Sequence, residues 1–237
     1  MKIQFFLFLT LLTQSLGFAV IADENTDAAV TLAANLRGMN SIQAEFQQNI
    51  LDKDGAVLQE AHGIVKIKRP QQFYWLTESP YEHLVVTDGS ILWLHDIDLE
   101  QVSKKPFSSD EDSAPALLLN GDVEKLSQQY TIRMEVYADV SRYQLEAIDS
   151  GSLFVGLSIS FDAGTLISMS FDDSFEQTTE IGFSNVVINS DLSDDLFQFV
   201  PPSGVDILDE TMNGLIENSQ MENGINSRNN PQSSSTQ

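Results

Sequence analysis

The sequence predicts a mainly-β fold: one open, curved antiparallel sheet of about ten to eleven strands, with short helices able to cover its concave face. Three observations carry this expectation. Apolar and polar residues alternate with period two through most of the chain between Ile42 and Ile188, as half-buried strands require. Turn signals separate the runs, among them Asp52-Lys53-Asp54-Gly55, Asp88-Gly89 and Asp162-Ala163-Gly164-Thr165. Helical periodicity occurs only ahead of the first strand and in a short stretch near the middle.

Thr26 to Met39 reads as an amphipathic helix with Thr26 or Asp27 as its N-cap, because Ala29, Leu32, Ala33, Leu36 and Met39 share one face. From Ile42 the period changes to two, and Ile42, Ala44, Phe46, Gln48 and Ile50 fall on one side of a strand. Val57 to Arg69 is the next strand, and Pro70 ends its hydrogen-bond ladder. Phe73 to Leu76, Leu84 to Thr87 and Ile91 to Leu94 follow. Ser113 to Leu119 reads as a cap, a proline in the first turn and an apolar helix ended by Gly121. A further short helical turn is expected between Asp122 and Gln128. Strands then resume over Thr131 to Tyr137, Tyr143 to Ile148, Leu153 to Phe161, Leu166 to Phe171 and Gln177 to Ile188.

The ends of the chain differ from its body. Met1-Lys2, the apolar run Ile3 to Leu12 and the small-residue stretch ending Val20-Ile21-Ala22 fit a secretory signal peptide over residues 1–22. Cleavage is expected after Ala22, with Ala19 as the alternative. The apolar run is shorter than the roughly 20 residues a spanning helix needs. Residues 23–209 form the folded domain, and 210–237, rich in Asn, Ser and Gln, read as a disordered polar tail.

Charge and composition exclude several function classes. Among 237 residues, 12 Lys and Arg face 35 Asp and Glu, a net charge of −23. Such a surface is repelled by nucleic-acid backbones and by anionic lipid headgroups, so no nucleic-acid partner is expected. The chain has no Cys, which removes disulfides, thiolate chemistry and any lipid attached through Cys. A soluble, exported monomer is the expectation.

No catalytic pattern emerges, and neither an enzyme nor a cofactor is expected. His62, His83 and His95 are widely separated, and each reads as a surface or strand-edge residue. There is no G-x-S-x-G, P-loop or G-x-G-x-x-G. Asp96-Ile97-Asp98-Leu99-Glu100 lacks the glycine of a calcium loop. The acidic runs Asp110-Glu111-Asp112, Asp172-Asp173 and Asp194-Asp195 read as solvated turns.

Three segments, in order, resemble one family. Ile42 to Gln48 (IQAEFQQ) opens the sheet. Gly63 to Trp75 (GIVKIKRPQQFYW) is followed by Leu84 to Leu94 (LVVTDGSILWL). Leu196 to Asp206 (LFQFVPPSGVD) closes the domain. Together they are similar to the outer-membrane lipoprotein carrier (LolA) family. The chain departs from it at Asp96-Ile97, where the family often has Asn-Pro, and in its tail.

The resemblance implies an incomplete, half-open β-barrel with a helical lid over a hydrophobic cavity. It implies a periplasmic chaperone that accepts lipoproteins from an inner-membrane ABC release complex (LolCDE). Cargo then passes to an outer-membrane acceptor lipoprotein (LolB), which has a similar fold but a lipid-bearing Cys that this chain lacks. Arg69 matches the family's latch to the lid helices, and Phe73 matches a residue of the docking surface for the release complex. Leu32, Leu36, Phe46, Trp75 and Trp93, with Leu117, Leu118 and Leu119 of the lid, are expected to meet acyl chains. The competing expectation is a periplasmic carrier or sensor of another amphiphile, a glycolipid or phospholipid.

Overall fold

A computed structural model describes residues 24–107 and 123–211. The expected signal peptide, the apolar helix carrying Leu117, Leu118 and Leu119, and the tail beyond Thr211 lie outside the described residues. The order is α1 (Glu24–Arg37), β1 (Ser41–Leu51), β2 (Val57–Lys68), β3 (Gln72–Ser79), β4 (His83–Thr87), β5 (Ile91–Asp96) and β6 (Gln101–Pro106). It continues with α2 (Val123–Gln129), β7 (Tyr130–Tyr137), β8 (Val140–Ala147), β9 (Phe154–Asp162), β10 (Thr165–Asp173), β11 (Thr178–Ile188), a 3₁₀ turn (Asp194–Phe197) and β12 (Asp206–Asp209).

All twelve strands form one open sheet in the order β12-β6-β5-β4-β3-β2-β1-β11-β10-β9-β8-β7. Neighbours pair antiparallel except β12 and β6, which are parallel. The count exceeds the ten to eleven expected, because β6 and β12 carry no strand pattern of their own. Gln101–Pro106 has only one buried apolar side chain, Val102. Asp206–Asp209 is exposed along its length and is a strand only through its pairing with β6. The sheet is an edge-bearing half-barrel.

Helix α1 begins earlier than its expected cap. Asp27 lies inside the helix, where its carbonyl accepts a hydrogen bond from the Thr31 hydroxyl at 2.8 Å. It also ends earlier: Met39 N–H bonds Leu36 O at 3.2 Å, a tightened last turn that releases Gly38 and Met39. Ala28, Leu32, Ala33 and Leu36 are buried on the concave face, and α1 packs against β7 and α2. The alanines let the helix lie close to the strands.

The two halves of the sheet are covered differently. Over β7 to β10 the concave face is filled by Ile132, Tyr143, Leu145, Leu157, Ile159 and Phe161, all nearly inaccessible to solvent. Over β3 to β6 the convex face is also covered. There the chain after β11 crosses the outside of the sheet as a belt. Lys68 Nζ donates to Leu192 O at 2.8 Å and to Asp194 Oδ1 at 2.6 Å, Phe197 is completely buried, and Phe199 packs on Trp93 and His95.

Candidate functional site

The concave face of β1, β2 and β3 is set by the strand period. Phe46 pairs with Gly63, Ala44 with Val65 and Ile42 with Ile67. Val65 then pairs with Trp75, and Ile67 with Phe73. Directly opposed residues of an antiparallel pair share a face. Phe46, Val65, Ile67, Phe73 and Trp75 therefore form one apolar surface.

Gly63 is a packing requirement within it. A Cβ at that position would fall 1.9 Å from Leu76 O and 3.0 Å from the Phe46 ring. With no side chain there, Phe46 leans across β2 and meets Trp75 with ring centroids 4.0 Å apart. Phe73 stacks on Trp75 in turn, at 6.0 Å and 21°.

This surface is one wall of a pocket of about 180 Å³. Ile42, Val65, Ile67, Phe73 and Trp75 line one side, and Met169, Phe171, Ile181 and Phe183 line the other. They come from β3, β2, β1, β11 and β10, five consecutive strands in the sheet order, so the sheet curls around the space. Every described lining residue is apolar. The volume is close to the roughly 150 Å³ of a cavity that accepts benzene. It holds a few carbons and not an entire long acyl chain, so such a chain needs the concave face to open further.

The α1–β1 junction lies at the rim. Arg69, at the β2–β3 corner beside a cis bond to Pro70, donates through Nε to Met39 O at 2.8 Å. Its backbone N–H donates to Asn40 O at 2.9 Å. Partial burial pulls the Arg69 pKa down, although guanidinium remains charged under ordinary conditions. The bond reaches Met39, two residues past the end of α1.

Asn189, just past β11, engages the same junction. Its side-chain Nδ2 donates to Gly38 O at 2.9 Å, and its Oδ1 accepts from Asn40 N–H at 2.8 Å. No sequence motif marks Asn189. Its φ of +57° is the one local feature that selects for asparagine there.

Leu32, Leu36 and Phe46 are buried in the concave core, with Trp75 half-buried beside them. Phe73 lines the pocket and is half-buried, so it faces inward at this site. Trp93 is on the opposite face, which corrects the expectation that it meets acyl chains. Trp75 pairs with Val85, which pairs with Leu94; Tyr74 pairs with Val86, which pairs with Trp93. Trp93 therefore points away from the pocket, against Phe199 at 5.4 Å and under Lys104 at 5.7 Å. His95 is also corrected: it is 8% exposed and packs on Phe199 at 5.5 Å, not on the surface.

The acidic run after β5 is used structurally. Asp96 Oδ1 accepts from Leu99 N–H at 3.0 Å, and Asp98 Oδ2 accepts from Glu82 N–H at 3.2 Å. Among the described residues, no helix is long and apolar enough to cross a membrane.

Comparison with known proteins places this geometry. The family model described as outer membrane lipoprotein carrier protein LolA matches residues 37–200. An outer-membrane lipoprotein carrier protein from Chromohalobacter salexigens is 36% identical over 196 residues, 83% of this chain and 93% of that protein. One from Pseudomonas entomophila is 39% identical over 189 residues, 80% of this chain and 90% of that protein. In fold, the chain is similar to a crystal structure of an uncharacterized conserved protein from Thermus thermophilus. The TM-score is 0.51 at 11% identity, covering 78% of this chain and 99% of that one.

Proposed function

The chain belongs to the outer-membrane lipoprotein carrier (LolA) family, and we propose that it carries lipoproteins through the periplasm with their acyl chains against the concave face of its sheet. It accepts them from an inner-membrane ABC release complex of the LolCDE kind and passes them to an outer-membrane acceptor of the LolB kind. The observation that carries the reading is the apolar pocket enclosed by five neighbouring strands.

The physical need is large. At roughly 0.8 kcal/mol per CH₂, exposing a sixteen-carbon chain to water costs on the order of 12 kcal/mol. A carrier lowers that cost by giving the chain an apolar surface. It must also cover that surface when empty, because a large exposed apolar patch promotes association. In the present structure α1 fills one part of the concave face and the pocket is small. This matches the closed state of a carrier whose cover moves when cargo enters.

Arg69 suits the latch role. Its side-chain bond to Met39 O stabilises the junction by about 1 kcal/mol, far less than burial of an acyl chain provides. The latch therefore biases the closed state without preventing opening. No nucleotide is needed by the carrier itself; direction follows from differences in affinity between donor, carrier and acceptor.

Donor membranes carrying lipoprotein and the release complex test the reading. The purified mature chain is expected to bring lipoprotein into the soluble fraction in a 1:1 complex. Lipoprotein that stays with the membranes would contradict the role. Cells depleted of the protein should retain lipoproteins at the inner membrane. Native mass spectrometry of protein taken from the periplasm reads the cargo mass and separates lipoprotein from a glycolipid or phospholipid.

A further inference from the structure

We infer that Asn189 is the second half of the clamp on the α1–β1 junction, and so a positioning residue for acyl-chain entry and release. The inference deepens the carrier reading and rests on it. Four consecutive carbonyls leave α1: those of Gly38, Met39, Asn40 and Ser41. Two residues engage all four. Arg69 takes Met39 O with Nε and Asn40 O with its backbone N–H. Asn189 takes Gly38 O with Nδ2 at 2.9 Å and Ser41 O with its backbone N–H at 2.8 Å. The Asn189 Oδ1 also accepts from Asn40 N–H at 2.8 Å.

Arg69 approaches from the β2 side of β1, and Asn189 from the β11 side. The junction is thus gripped from both flanks. Its backbone groups cannot follow α1 away from the sheet unless these bonds break. The two amide bonds of Asn189 are reciprocal, one donated and one accepted, so they also fix the orientation of the amide. Movement of α1 away from the sheet that enlarges the pocket releases this clamp. Destabilising the clamp shifts the population toward the open, binding-competent form and raises apparent affinity for an acyl chain.

The residue permits a clean test. At φ +57°, glycine fits without strain, so Asn189→Gly removes both amide bonds and keeps the backbone. The probe is cis-parinaric acid, titrated into the mature chain by fluorescence. Loss of two hydrogen bonds is expected to raise affinity roughly tenfold and to slow probe dissociation. Asn189→Asp keeps the acceptor for Asn40 N–H and loses the donor to Gly38 O; it is expected to give part of that rise.

Arg69→Leu combined with Asn189→Gly should exceed the stronger single variant by no more than about threefold, because both act on one junction. A merely structural role would lower the melting temperature and leave the probe affinity unchanged. Affinity within about twofold of wild type in both Asn189 variants overturns the clamp, and so does a wild-type chain that does not bind the probe. A wild-type chain that binds the probe but takes no lipoprotein from donor membranes overturns the carrier reading and leaves the clamp standing.

Discussion

Asn35 of α1 donates its side-chain amide to the Tyr143 hydroxyl of β8 at 3.0 Å, inside the concave face. Tyr143 is completely buried, packed edge-on against Phe161, and burial pushes its pKa up. The helix is therefore tied to the sheet by a polar bond within an otherwise apolar contact. The two partners are not equivalent. Asn35 is half-buried and reaches water if its partner is lost, whereas the Tyr143 hydroxyl does not. Asn35→Ala is expected to cost about 2 kcal/mol and Tyr143→Phe about 1 kcal/mol. Urea denaturation measures both; a larger loss for Tyr143→Phe would show that the amide is the trapped group.

Arg69→Leu removes the side-chain bond to Met39 O and leaves the backbone bond to Asn40 O in place. The closed form loses stability relative to the loaded one. The variant is expected to take up lipoprotein and to hand it to the acceptor several-fold more slowly, as about 1 kcal/mol implies. Transfer at the wild-type rate would remove Arg69 from the latch.

The belt on the convex face is expected to stabilise the fold without meeting cargo. Phe197→Ala leaves a cavity beneath it and is expected to cost about 3–5 kcal/mol. Affinity for acyl chains should stay unchanged, because Phe197 lies across the sheet from the pocket. Denaturation and fatty-acid titration of the same variant check the two halves of this statement, and a selective loss of affinity would contradict the second.

The end of the belt responds to acid. Asp209 accepts hydrogen bonds from Lys104 and from Thr211, which hold its pKa down to about 2 from the ordinary 3.8. Lys68 lowers that of Asp194 in the same direction. A carboxylate with a depressed folded-state pKa favours the fold above its unfolded value, and this contribution fades as the pH falls toward the folded one. Attachment of β12 to β6 is expected to hold at pH 5 and to weaken between about pH 4 and pH 2. Amide exchange at Glu210, whose N–H bonds Lys104 O at 2.9 Å, reads the change. Protection lost already at pH 5 would show that these carboxylates do not hold the strand.

Much of this arrangement was legible in the sequence, for identifiable reasons. Strands with one buried face announce themselves by alternation, as Ile42, Ala44 and Phe46 do in β1. β12 was hidden because a short exposed strand has no alternation to show, and its parallel pairing with β6 is a long-range contact. The face that Trp93 takes is hidden in the sequence for a related reason. Ile91-Leu92-Trp93-Leu94 is apolar throughout, which signals burial on both faces. The sequence shows that both sides are covered, but not that the belt covers one and the concave face the other. Asn189 left no signal, because its value lies in meeting Gly38 and Asn40, about 150 positions earlier.

The chain has two tryptophans, and they lie on opposite faces of the sheet, which permits a direct test of where cargo binds. Brominated acyl chains quench only tryptophans that they approach closely. With Trp93→Phe, the remaining Trp75 lines the pocket, and its fluorescence is expected to fall as brominated fatty acid or brominated lipoprotein binds. With Trp75→Phe, the remaining Trp93 under Phe199 is expected to keep its emission at the same saturation. Quenching of Trp93 without quenching of Trp75 would place the acyl chains on the convex side and contradict the account.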